Sequence, residues 1–273
     1  MTDECIKLAN IPKKCSSVKV GRLNDITALA QSSNVYQFKI AMKVGGANYS
    51  YNKKIVIDPK AFDIYRNTFK EFGLGVKTEI DLPVESLGYS GKNTAADLLL
   101  NFSIGQYDSY TPIQLSQYIT TIASNGNRLK PLLLKEIRNS SDNEEIGTLL
   151  EEKERVILNQ VTTKEEYLKR VQEGFVAVME VGLGKRVMGD SPNPAGKTGT
   201  SESFIDTNGD GKIDTETTSN AFVGYAPSNN PKMTITVTSP DVEDPSTNIN
   251  HRTYMNRRIA RSISNKYFEM FPE

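Results

Sequence analysis

The chain has no tryptophan, one histidine and two cysteines in 273 residues. A single histidine, His251, rules out a His-rich zinc centre and leaves little room for a histidine-based catalytic triad. His251 lies near the start of a basic C-terminal segment and reads as a surface residue. Cys5 and Cys15 are too few for a disulfide framework. Their spacing leaves two readings open, a small loop disulfide or two free thiols in a mobile N-terminus. An excess of either charge is also missing, since 33 Lys+Arg balance 33 Asp+Glu. That balance gives no electrostatic reason to expect nucleic acid or an anionic membrane surface as partner. No apolar run is long enough to span a bilayer, and the opening MTDECIKLANIPKKC lacks the apolar core of a signal peptide. No internal repeat is visible.

What is present fits a globular domain. The hydrophobic fraction is 37% and the charged fraction 24%, and the length suffices for a sizeable core. The chain reads as one domain over residues 1–273, with an irregular first segment of 20 residues. Helical periodicity begins after Asn24, which can cap, with Ile26, Leu29 and Ala30 on one side. A break at Gln31–Asn34 precedes a second helix carrying Val35, Phe38 and Met42, ended by Gly45-Gly46. Asp58-Pro59 offers a helix start with proline in the first turn. Phe62, Tyr65, Phe69 and Phe72 then form one stripe, read as core. Thr111-Pro112-Ile113-Gln114 is a capping box.

The second half changes character. Lys130–Ile137 reads as a strand and Asn139–Glu154 as an exposed acidic loop. A long helix is expected after Thr162 or Thr163. Three strands follow, Ala195–Ser201, Ser219–Ala226 and Lys232–Ser239, the last alternating cleanly. With no helices between them they should run antiparallel. A basic helix from about Arg252 to Phe268 closes the chain. The expected class is α+β, an antiparallel sheet flanked by helices.

Two short motifs carry chemistry. Lys197-Thr198-Gly199-Thr200 opens a strand. Lys197 supplies positive charge for a carboxylate and for proton transfer. The hydroxyls of Thr198 and Thr200 can bond that carboxylate, and Gly199 lets a substrate backbone lie close. The Thr200 amide can serve an oxyanion hole. Ser32-Ser33-Asn34 falls in the inter-helix break, where Ser32 can relay a proton, Ser33 can line the cleft and Asn34 can grip a peptide group. The plainer alternative is that Asn34 caps the next helix. Ser141-Asp142-Asn143 and Ser228-Asn229-Asn230 repeat the Ser-x-Asn text without helical context and read as surface.

With their surroundings these motifs resemble the penicillin-binding transpeptidase family, whose signature joins Ser-x-x-Lys, a Ser-Asp-Asn-type element and Lys-Thr-Gly. The likeness runs from about Gly21 to the C-terminus. It takes in Ala28–Asn34, Phe72-Gly73-Leu74-Gly75, Ile80-Asp81-Leu82-Pro83, Ser103-Ile104-Gly105-Gln106, Ala195–Thr200 and Phe222–Pro227. It favours the membrane-anchored class B type over secreted β-lactamases. The resemblance implies the penicillin-binding and serine β-lactamase-like fold, with its first part missing. It implies a D,D-transpeptidase that cross-links peptidoglycan stem peptides by serine acyl transfer and is trapped by β-lactams. It also implies a place on the outer face of the bacterial cell membrane, with the anchor outside this chain. Ser32, Asn34 and Lys197 would be catalytic, and Ser33, Thr198, Gly199 and Thr200 would bind substrate, with no cofactor required. Alternatives are a non-catalytic binding or sensor domain and a β-lactamase.

One departure matters. The family's nucleophilic serine lies well upstream of the Ser-x-Asn element, and 31 residues precede Ser32 here. Ser16-Ser17-Val18-Lys19 and Ser50-Tyr51-Asn52-Lys53 fit Ser-x-x-Lys as text. The first is too close to Ser32 and the second lies on its wrong side. The nucleophile is therefore expected outside this chain, on a missing segment or a complementary chain, and this chain alone would be inactive. Separately, Asp206–Asp214 matches the first nine positions of a calcium loop. Asp206, Asn208, Asp210, Lys212 (through its carbonyl) and Asp214 would be the ligands. Thr217 stands where the bidentate glutamate belongs, and a Gly/Asp hairpin tip is the competing reading of 206–217.

Overall fold

Helices in the first half start where the sequence supplies capping groups. The structure, a computed structural model, describes residues 1–140, 146–242 and 254–272. Helix α1 (Asp25–Ala30) opens on a reciprocal box between Asn24 and Thr27. Helix α2 (Asn34–Val44) is capped by Ser33, whose hydroxyl accepts from the Tyr36 amide, and not by Asn34. It buries Val35, Phe38, Ala41 and Met42. Before α3 (Lys60–Glu71) the Asp58 carboxylate accepts from the Lys60 amide, and Pro59 holds the cap position. The aromatic stripe is core, as its spacing suggests: Phe62, Tyr65 and Phe69 pack on Phe102 of α4 (Ala96–Ser103). Helix α5 (Pro112–Ala123) starts on the expected Thr111–Gln114 box.

The first segment is not a mobile tail. Cys5 and Cys15 form a disulfide, which settles the choice between bridge and free thiols. Ile6 pairs with Lys14 across the loop that the disulfide closes. Ile6 and Leu8 are buried against Val35 and Phe38. Each such side chain contributes roughly 1.5–3 kcal/mol by leaving water.

The middle of the chain differs from its sequence reading. In place of one strand over Lys130–Ile137 there are two small antiparallel pairs. Strand β1 (Asn127–Leu129) pairs with β4 (Ile157–Gln160), and β2 (Glu136–Arg138) with β3 (Leu149–Glu152). Pro131 has no N–H to give a ladder, and the Leu133 and Leu134 amides turn instead to the Asp81 carboxylate at 2.7 and 2.9 Å. The expected acidic loop thus contains β3, while Ser141-Asp142-Asn143 lies outside the described residues. Helix α6 (Glu165–Glu180) begins after the two threonines. Thr162 bonds Glu71 of α3 through both its amide and its hydroxyl.

Strands β5 (Ala195–Ile205), β6 (Thr215–Ala226) and β7 (Met233–Ser239) form an antiparallel sheet in that order. Strands β5 and β6 are longer than expected, reaching Ile205 and starting at Thr215, because the polar hairpin between them continues the ladder, and β7 starts one residue later than expected. Central β6 is buried on both faces, so its apolar residues run almost without interruption. Val223 and Tyr225 meet Ile119 and Ile122 of α5 and Phe175 of α6. Phe222 and Ala226 face the other way, with Ile235 and Val237 of β7 and Ala260 of α7 (Tyr254–Met270). His251 and the expected helix start at Arg252 lie outside the described residues. The class is α+β with an antiparallel sheet between helices, as the motifs implied.

Candidate active site

The turn between α1 and α2 and the start of β5 come together. Two amide bonds fix the turn: Ser32 N–H to Leu29 O at 3.1 Å and Ser33 N–H to Ala28 O at 2.9 Å. Ser32 sits at φ +52°, in the left-handed region that a residue with a Cβ seldom adopts. Such a conformation persists only where the surroundings hold it.

Across from it, Lys197 is in register with Val223, so its side chain leaves the sheet on the α5 and α6 face. Its Nζ donates to Ser32 Oγ at 2.8 Å and to Thr198 O at 2.6 Å. Burial pushes the Lys197 ammonium down to about 8, and no carboxylate offsets that cost. A half-buried cation bonded to neutral oxygens keeps the capacity to receive an anion. Its lowered affinity for the proton also suits it to proton transfer near neutral pH.

Thr198 and Thr200 lie on the opposite face of β5, in register with Phe222 and Asn220. Thr200 Oγ1 donates to Asn220 Oδ1 at 3.0 Å, and Asn220 Nδ2 is buried without a partner. Gly199 is exposed, and a Cβ there would meet only Ala221 at 3.9 and 4.0 Å. The chain's own packing therefore does not require glycine; an approaching backbone would. Strand β5 is an edge of the described sheet, which leaves that approach open.

The Ser-x-Asn residues divide in role. Asn34 opens α2 half-buried, and its side chain makes no hydrogen bond among the described residues. Ser33, expected to line the cleft, is 2% exposed, and its hydroxyl donates to Asp3 Oδ1 at 2.6 Å while accepting from Tyr36 N. That leaves Ser33 a structural cap. Asp3 and Asn220 carried no motif and were not anticipated from sequence.

Neither textual Ser-x-x-Lys serine reaches Lys197. Ser16 Oγ is bonded to Asp3 at 2.7 Å and accepts from the Val35 amide. Ser50 is exposed in a turn closed by the Lys53 amide. In the Asp206–Asp214 tip the carboxylates accept backbone and hydroxyl donors: Asp206 from Gly209 and Gly211, Asp210 from Lys212, and Asp214 from Thr207. Asn208 likewise accepts from Asp210. Among the described residues no group of three or more His, Cys, Asp or Glu is placed to hold a metal. The expected ligand carboxylates thus face the hairpin's own amides and hydroxyls.

Comparison with known proteins agrees with this geometry. Residues 13–267 match the model of the penicillin binding protein transpeptidase domain. The chain is 42% identical over 258 residues to penicillin-binding protein 2A of Bacillus subtilis, covering 94% of the chain and 36% of that protein. It is 36% identical over 262 residues to penicillin-binding protein H of the same organism, covering 96% and 36%. Penicillin-binding protein 2B of Streptococcus pneumoniae superposes with a TM-score of 0.82 at 30% identity, covering 100% of the chain and 44% of that structure. The chain thus spans about a third of the length of the curated relatives it matches.

Proposed function

The chain belongs to the penicillin-binding protein transpeptidase family, and we propose that it forms two walls of a peptidoglycan D,D-transpeptidase active site. The observation that carries this reading is the 2.8 Å bond from Lys197 Nζ to Ser32 Oγ. It joins the two motifs into one proton-handling pair.

In this reading a serine hydroxyl attacks the carbonyl between the last two D-alanines of a stem peptide. The C–N bond breaks, the terminal D-alanine leaves as an amine, and an ester to the serine remains. Lys197 and Ser32 carry the serine's proton to that departing nitrogen. Charge on Lys197 attracts the terminal carboxylate, and the Thr200 amide, at the open edge of β5, faces the carbonyl oxygen. The side chain of Asn34 takes the stem-peptide amide. An amine of a neighbouring strand then attacks the ester and frees the serine. A β-lactam acylates the same serine, but its leaving nitrogen stays attached and the ester persists.

We place the nucleophilic serine outside these residues. Neither Ser16 nor Ser50 is hydrogen-bonded to Lys197, and Ser32 is the one side chain that Lys197 bonds among the described residues. A site on the outer face of the cell membrane is supported by the Cys5–Cys15 bridge, which persists in an oxidising compartment. No described helix is long and apolar enough to cross a membrane.

Intact-mass measurement after incubation with benzylpenicillin tests the assignment. This chain should gain no mass, whereas a longer protein containing it and an upstream Ser-x-x-Lys should gain one adduct, lost or greatly slowed in Lys197→Ala. An adduct on Ser16, Ser32 or Ser50 of this chain would place the nucleophile here instead.

A further inference from the structure

Asp3 is a buried carboxylate for which the acyl-transfer reading has no use. It is 3% exposed, and no ion pair reaches it among the described residues. Its Oδ1 accepts from Ser33 Oγ at 2.6 Å and Ser16 Oγ at 2.7 Å, and Oδ2 accepts from Val20 N at 3.3 Å. Burial alone would raise the carboxyl's proton affinity, but these donors, with the positive charge of Lys39, hold it below its usual value. A buried charge satisfied by hydroxyls is costly to assemble, and one so close to a reacting centre calls for a role.

Its partners lead straight to Ser32. Ser33 is the next residue and caps α2 through Tyr36 N. Ser16 accepts from Val35 N at 3.2 Å, so a second first-turn amide of α2 is capped from a distant segment. The two hydroxyls also touch each other at 3.2 Å. Asp3 thus ties together both groups that set the start of α2, and Ser32 is the left-handed residue immediately before that start. Geometry reaches Asp3 from the other direction too. Asp3 N–H bonds Gly21 O at 2.7 Å, and Cys15, adjacent to Ser16, is bridged to Cys5, two residues from Asp3.

We propose that Asp3, braced by the Cys5–Cys15 bridge, is a positioning residue that holds Ser32 in bonding contact with Lys197. Remove the carboxylate and Ser33 loses its acceptor, the cap on α2 loosens, and the strained Ser32 turn relaxes to an ordinary backbone conformation. Its hydroxyl then leaves Lys197 Nζ. The inference builds on the assignment of Ser32 and Lys197 to one site, but the contact itself can be measured without turnover.

The test is NMR titration of Lys197 through its side-chain 13Cε signal in the 273-residue chain. Ser32→Ala defines the signature of a lost contact. Asp3→Ala should move the Lys197 midpoint in the same direction and by a similar extent, and should add nothing in a Ser32→Ala background. Asp3→Asn keeps one acceptor oxygen of the same shape and should give a smaller displacement; it serves also if the alanine variant does not fold. Reduction of the bridge in the unmutated chain should displace Lys197 the same way. If Asp3→Asn and bridge reduction lower the melting temperature while Lys197 titrates as in the parent, Asp3 is only a stabilising group and the proposal is overturned. A separate arm protects the distinction from the functional reading. Penicillin acylation of a longer protein that survives Lys197→Ala sinks that reading, whereas the Asp3–Lys197 coupling is judged by the titration alone.

Discussion

Gly73 lies so close to Gln117 that a Cβ on it would stand 2.3 Å from the Gln117 Oε1. Gly73 also has φ +95°, where a Cβ is strained whatever the space. Gln117 in turn is a hub. Its amide nitrogen donates to Thr78 O and Leu129 O, and its oxygen accepts from Arg128 Nε at 2.9 Å. Gly73→Ala therefore attacks the backbone and the hub together. The expected loss is about 2–4 kcal/mol in urea unfolding, from left-handed strain plus unsatisfied buried polar groups. An unchanged midpoint would show that Gln117 can swing aside at no cost.

Lys197 should give the chain a distinctive alkaline limb. Its folded midpoint of about 8 lies below the ordinary 10.5, so between those values the unfolded chain holds more protons than the folded one. Stability from this group therefore rises as pH climbs from about 8 to 10.5, and its burial cost is felt in full below 8. The span is on the order of 3 kcal/mol at most. Lys197→Met should flatten that limb in urea titrations at stepped pH. Carboxylate binding should go the other way and weaken about tenfold per pH unit above 8, since the ligand needs the charged amine. A parent and variant with parallel stability profiles would mean that Lys197 is well hydrated.

The Asp206–Asp214 tip is expected to melt at the same temperature in millimolar calcium and in chelator, because Thr217 stands where the bidentate twelfth ligand belongs. A ligand of the folded state would raise the midpoint by mass action. A rise in calcium that disappears in Asp206→Ala with Asp210→Ala would establish the calcium loop.

Much of this architecture was legible because local chemistry dictated it. Asn24, Thr111 and Gln114 announce their helices with side chains that satisfy first-turn amides. The Met233–Ser239 strand announces itself by alternation. The two small pairs were not legible. Leu149–Glu152 is exposed throughout, so no buried face imposes a period on it. The Lys197–Ser32 pair was legible only through motif text, since nothing local links residues 165 apart. The network joining Asp3, Ser16 and Ser33 was invisible for a related reason. A polar network assembled from distant segments leaves no periodic trace, and the irregular look of residues 1–20 hid the burial of Ile6 and Leu8.

The separation of Ser32 and Lys197 also sets a schedule. Lys197 leaves the ribosome 165 residues after Ser32, on the order of ten to thirty seconds at about 5–20 residues per second. During that interval α1, α2 and the N-terminal loop have no β5 to face. Because such distant contacts form only after long loops close, the ammonium and the hydroxyl meet late in folding. A prematurely terminated product that stops before β5 would carry the serine turn without its lysine. Such a fragment cannot form the Ser32–Lys197 contact, so the two motifs come together only in chains whose synthesis has passed the sheet.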